Sequence, residues 1–144
     1  MIFIDTHTHL YLEHFDNDRT EIIQAAIEEG VEYMLLPNID SESLESMLKL
    51  NQEYSKNCLP MMGLHPTSVK ENYGVELDLV KSELDSGNYI AVGEIGIDLY
   101  WDKDKLDIQK DAFRQQLQLA KKYELGVSIH TRDSFDITYQ IVKE

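Results

Sequence analysis

Apolar positions along the chain gather into five short runs, separated by longer stretches in which apolar and polar residues recur at helical intervals. The runs Ile2–Thr6, Tyr33–Leu36, Leu59–Gly63, Tyr89–Gly93 and Gly126–Ile129 have the length and near-continuous apolar character of buried strands. The stretches between them read as helices. Thr20–Glu29 carries Ile22, Ile23, Ala26 and Ile27. In SESLESMLKLNQEYSKN, which begins at Ser41, the residues Leu44, Met47, Leu48 and Tyr54 fall near helical spacing, and Ser41 is placed to cap the start. Val75–Asp85 is a shorter candidate closed by Gly87. The last full helix, about Lys105 to Tyr123, puts Phe113, Leu117 and Ala120 on one face. Acids flank its start, and Lys121 and Lys122 its end, as the helix dipole favours.

This alternation of strand and helix argues for a parallel sheet with crossover helices. Strand starts roughly thirty residues apart suit βαβ units. An open doubly wound sheet and a barrel both satisfy the pattern. A complete eight-unit barrel needs about 250 residues, and the chain has 144. The expected architecture is α/β: one domain over residues 1–144, formed as the N-terminal portion of a (β/α)8 TIM barrel. Its last residues enter the helix after the fifth strand.

Composition narrows the partners. Apolar residues make up 42%, enough for a core, and no apolar run approaches the length of a membrane span. The N-terminus lacks a basic region followed by an apolar stretch, so neither secretion nor a membrane partner is indicated. The single cysteine, Cys58, forms no internal disulfide, which fits a cytoplasmic location. With 13 Lys and Arg against 27 Asp and Glu, the net charge of -14 disfavours a nonspecific phosphate-binding surface. It leaves room for a local site where a bound metal reverses the sign.

Candidate chemistry starts in FIDTHTHL, Phe3 to Leu10. Residues two apart in a strand share a face, so Asp5, His7 and His9 point the same way. The two imidazoles are spaced to grip one cation. Asp5, one step deeper, is placed to accept an N–H from a ligand histidine and fix its tautomer. Alone, the H-x-H pair reads equally well as two half-exposed polar residues at a strand end. Other runs change that balance. IAVGEIGID ends its apolar run at Glu94, LGVSIHTRD at His130 and MMGLHP at His65. In parallel α/β folds the carboxyl ends of the strands converge on one rim, where ligands bind. Imidazoles with a carboxylate make a mixed N/O donor set suited to Zn, Mn or Mg. A glutamate between two ions can bridge them, one oxygen to each. His7, His9, Glu94 and His130 are the candidate metal ligands.

These residues sit inside longer blocks. DTHTHL, GLHP, GEIGIDLYWD, the helix with the pattern Q…F…QL.LA, and IHTRD together resemble the TatD family of metal-dependent deoxyribonucleases, which belong to the amidohydrolase-like TIM barrels. The resemblance covers essentially the whole chain in order. It implies a hydrolase that uses one or two divalent ions (Zn, Mg or Mn) to cut phosphodiester bonds in DNA, often from a 3′ end. Carried over by position, His7 and His9 match ligands of a first metal, Glu94 a bridging carboxylate and His130 a ligand of a second metal. The family's further metal-binding histidine, and the late aspartate that activates water as general base, have no counterpart before Glu144. His14, in the loop after the first strand, is no substitute. Weakened metal binding and very low turnover are therefore expected of this length of chain.

Other residues carry two readings each. Arg132 is placed to hold a phosphate in bidentate fashion or to pair with Asp133. His65 is placed to contact phosphate or to pack a loop. Tyr100 and Trp101 would stack on a base or form a lid on the rim. Asp98 would orient a ligand or cap a loop, and Gly93 and Gly96 suggest tight backbone geometry beside Glu94. Asp102, Asp104 and Asp107 look like a solvated helix entry, Met61 and Met62 like core filler, and Cys58 has no basic neighbour to activate it. Two competing functions remain. One keeps the metal but acts on a small ester, amide or phosphoester, which the acidity favours somewhat. The other is an inactive metal-binding fragment whose open sheet edges invite self-association.

Overall fold

The computed structural model describes residues 1–144. Five parallel strands form a single sheet in sequence order: β1 (Phe3–Asp5), β2 (Val31–Pro37), β3 (Cys58–Met62), β4 (Ala91–Asp98) and β5 (Gly126–Arg132). Helices α1 (Arg19–Glu28), α2 (Ser41–Glu53), α3 (Tyr73–Asp85) and α4 (Leu106–Tyr123) connect them, and α5 (Phe135–Val142) follows β5. The sheet curls far enough that Ser128 Oγ of β5 lies 3.4 Å from His7 Nδ1, just past β1. The result is a half-barrel with helices on its outside. No helix is long and apolar enough to cross a membrane.

All five expected strands are present, with different ends. β1 is shorter than its apolar run, while β4 and β5 continue past Glu94 and His130 to Asp98 and Arg132. The reason is that ladder hydrogen bonds belong to the backbone and are indifferent to side-chain polarity. Gly96 pairs with His130, and Asp98 with Arg132, so the polar residues stand within paired strand and not beyond it. Helix α2 is capped by Asp40, not by Ser41. Asp40 Oδ1 accepts from the Ser43 N–H at 3.2 Å, and Ser43 Oγ accepts from the Asp40 N–H at 3.1 Å, a reciprocal capping box. Ser41 instead holds Glu76 of α3, its hydroxyl donating to Oε1 at 2.7 Å.

The core lies between the sheet and its helices. Ile23 of α1, Met47 of α2, Val80 of α3 and Phe113 of α4 join Met34, Leu36, Met62, Ile95 and Ile97 from the strands. Met62 and Met61 are buried, as their reading as core filler expects, and burial pushes the Cys58 thiol up to about 11, so it stays protonated. Two buried glutamines of α4 fix the helix to the sheet. Gln116 accepts from the Leu64 N–H at 2.7 Å and donates to Leu64 O at 3.2 Å. Gln109 does the same for Asp98, at 2.8 and 3.1 Å.

Alternation along β4 turns Ile95 and Ile97 into the core and Glu94, Gly96 and Asp98 to the opposite, concave face. β4 and β5 approach closely there. A Cβ at Gly96, whose φ is +144°, would lie 2.0 Å from the His130 carbonyl oxygen. A Cβ at Gly93 would lie 2.7 Å from Ser128 Cβ. The tight geometry expected beside Glu94 is the condition for the β4–β5 contact. At the two edges, Ile2, Phe3 and Ile4 around β1, and Val127 and Ile129 in β5, remain exposed.

Candidate metal centre

The concave face gathers side chains from four separate strand regions. His7 and His9 follow β1, His65 follows β3, Glu94 stands in β4 and His130 in β5. Glu94 is the centre, only 6% exposed. Its Oε2 lies 3.1 Å from His7 Nε2 and 3.6 Å from His9 Nε2, and those two nitrogens are 3.2 Å apart. Its Oε1 lies 2.9 Å from His130 Nδ1 and 3.6 Å from His65 Nε2. Each oxygen of one carboxylate thus faces its own imidazole group.

The donor set fits a divalent ion on geometric grounds. Four donors held tetrahedrally at metal–ligand distances of about 2.0–2.2 Å stand ~3.3 Å apart. The His7, His9 and Glu94 atoms match that spacing without rearrangement. Three protein donors with one position open is the arrangement of catalytic rather than structural sites.

The surrounding residues orient the imidazoles. His9 Nδ1 lies 2.8 Å from the Tyr11 hydroxyl, and that hydroxyl donates its only proton to Pro37 O at 2.5 Å. The His9 contact must therefore run from Nδ1–H to the Tyr11 oxygen, which leaves the Nε2 lone pair facing Glu94. Tyr11 is almost fully buried, and burial pushes its phenol far up, so it keeps that proton. His130 Nε2 lies 2.9 Å from Asp98 Oδ2. Asp98 also caps the loop, accepting from the Tyr100 N–H at 2.9 Å. Asn38, fully buried, donates from its side chain to Gly63 O at 2.9 Å, and its own carbonyl accepts the Glu94 N–H at 3.1 Å. It fixes the backbone from which Glu94 projects.

Electrostatics follow from this packing. Burial raises the Glu94 carboxyl, but the imidazoles of His130, His65 and His9 gathered against it outweigh that, and the group stays ionised far below the usual carboxylate range. Burial likewise raises Asp98, and His130 with the Tyr100 and Trp101 N–H groups more than reverses it. Glu94 and Asp98 on opposite sides of His130 raise that imidazole above its ordinary value.

Three expectations need correction or refinement. Asp5 does not touch an imidazole; its Oδ1 accepts the backbone N–H of His7 at 3.1 Å and fixes the turn carrying both histidines. Arg132 stacks on aromatic rings instead of pairing with Asp133, its guanidinium 3.6 Å from the centre of Tyr100 and 5.6 Å from that of Trp101. Those rings are exposed, at 53% and 71%, and do not close over the rim. His65, read from sequence as a phosphate contact or a loop-packing residue, lies beside Glu94 and His130. His14 lies outside both groups, its ring against Phe15. Tyr11 and Asn38 carried no sequence signal, since their partners are remote along the chain.

Comparison with known proteins agrees with this geometry. The family model described as TatD related DNase matches residues 4–144. An uncharacterized metal-dependent hydrolase of Bacillus subtilis, YabD, is 35% identical across the whole chain, which spans 56% of that relative. The 3′-5′ ssDNA/RNA exonuclease TatD of Erwinia tasmaniensis is 29% identical over 90% of the chain and 50% of its own length. The crystal structure of the TatD homologue YjjV of Escherichia coli superposes with a TM-score of 0.89 at 32% identity, over 98% of this chain and 55% of that one. The chain therefore spans about half the length of the relatives it matches. It belongs to the TatD-related DNase family.

Proposed function

We propose that this chain carries the metal-holding residues of a metal-dependent phosphodiesterase acting on DNA, with one or two divalent ions held by His7, His9, Glu94 and His130. The observation that carries the reading is Glu94, one buried carboxylate whose two oxygens face separate imidazole groups. When bound, a divalent ion supplies a water of lowered pKa and positive charge against the phosphoryl oxygens. The chain's own residues hold and orient. Glu94 would hold the ion together with His7, His9 and His130, Tyr11 and Asp98 fix the His9 and His130 tautomers, and Arg132, steadied on Tyr100, meets substrate phosphate. The named activity of the Erwinia relative makes single-stranded nucleic acid the first substrate to test.

The test is nucleotide release from 3′-labelled single-stranded DNA in added Mg, Mn or Zn. Release dependent on the ion, slower than in a full-length relative and abolished in Glu94→Gln, is expected. Equal release by Glu94→Gln would defeat the reading. A second reading, hydrolysis of a small ester, amide or phosphoester at the same centre, is favoured by the net charge of -14. Turnover of such substrates without cleavage of DNA would establish it.

A further inference from the structure

Of the four imidazoles at Glu94, those of His9, His65 and His130 differ in which nitrogen carries the proton, and the difference separates ligands from donors. A neutral imidazole has one N–H and one lone pair. A metal-binding histidine gives its other N–H to an acceptor. His9 follows that rule through the Tyr11 oxygen, and His130 through Asp98 Oδ2. His65 inverts it. Its Nδ1 accepts the backbone N–H of Thr67 at 3.2 Å, and a backbone amide can only donate. The Thr67 hydroxyl, 2.7 Å from the same nitrogen, is free to turn its own proton there. His65 Nδ1 therefore holds the lone pair and Nε2 the proton. That N–H points into the centre, 3.2 Å from His130 Nδ1 and 3.6 Å from Glu94 Oε1. The position suits a metal ligand, but the tautomer does not. To bind an ion through Nε2 while Nδ1 accepts from Thr67, the ring would need to lose both protons. In the metal-free chain His130 Nδ1 and Glu94 Oε1 face this N–H; an ion held by those two atoms would take their lone pairs, and the N–H would then need another acceptor in front of it.

We propose that His65 is not a metal ligand but a tautomer-locked hydrogen-bond donor, giving its Nε2–H to an oxygen of the substrate's phosphoryl group. The proposal rests on the phosphodiesterase reading for the identity of that oxygen, but not for the tautomer.

Three measurements on the whole chain test it. Side-chain ¹⁵N NMR of the zinc-loaded protein should find His65 protonated at Nε2 and bare at Nδ1, and the opposite pattern overturns the proposal. Zinc per chain, measured by native mass spectrometry, should be unchanged in His65→Ala and reduced in His9→Ala. Loss of an ion in a folded His65→Ala would make His65 a ligand after all. Inorganic phosphate binding to the zinc-loaded chain, followed by calorimetry, should weaken about tenfold in His65→Ala, the effect of one hydrogen bond to a charged acceptor. His65→Gln, whose amide nitrogen reaches the place of Nε2, should recover most of it. Equal phosphate affinity in wild type and His65→Ala overturns this assignment alone. A wild-type chain that binds zinc but no phosphate overturns both the assignment and the phosphodiesterase reading.

Discussion

Asp98 touches no substrate in the proposed chemistry, yet it sets which nitrogen His130 offers to the centre. Asp98→Asn should lower metal affinity 10- to 100-fold while leaving the fold intact, because orienting partners of ligand histidines contribute on that scale. Competition against a zinc-responsive dye checks it, and unchanged affinity would remove Asp98 from the centre. His130 gives a pH test. Its proton is held by Glu94 and Asp98 above the ordinary value of 6.5. In the metal-free chain that stabilisation is complete below the ordinary value and is lost as pH rises through the raised one. A metal competes with the same proton, so affinity should rise over that window and binding at neutral pH should release protons. Calorimetry in buffers of different ionisation enthalpy should show the release at pH 7 and a smaller release as pH is raised; a buffer-independent heat at pH 7 would contradict it. His7, His9, Glu94 and His130 stood out in sequence because they fall at or just past the ends of apolar runs. Tyr11 and Asn38 were not, because their function depends on Pro37, Gly63 and Glu94, which only folding brings near.

At the scale of elements, the contact between β4 and β5 depends on an absent side chain. Gly96→Ala would drive a methyl group into the His130 carbonyl from a backbone conformation that L residues avoid. A loss on the order of 3 kcal/mol is expected from strain and overpacking together. Urea unfolding measures it, and a change under about 0.5 kcal/mol would show that β5 can shift without cost. Strand existence and order were readable from apolar runs, because parallel strands covered by helices need apolar side chains. Strand ends were not, because backbone pairing runs on through Gly96, Asp98 and Arg132 whatever their side chains. The α2 cap was misread by one residue for a related reason: Ser41 and Asp40 are both good caps, and the choice was made by Glu76 of α3 claiming Ser41.

On the scale of the molecule, the sheet is paired on one side only at β1 and β5, and both edges expose apolar residues. Such edges pair with other chains. Sedimentation of the wild-type chain should show mass rising with concentration, and Ile4→Lys, altering a residue 54% exposed at the β1 edge, should shift it toward monomer. A monomer at all concentrations would mean the edges are adequately blunted. A parallel sheet with crossover helices was legible from the spacing of runs, and the half-barrel from the family resemblance; the degree of curl was not legible, since it arises from twist accumulated over strands. That curl has a consequence for assembly. Strands lie in the sheet in the order they are synthesised, and His7 and His9 emerge before any residue that faces them. Only the later arrival of Glu94 and His130 completes either half of the centre. An ion seated there acts as a clasp between the earliest and latest parts of the chain, so its capture marks the end of folding and does not start it.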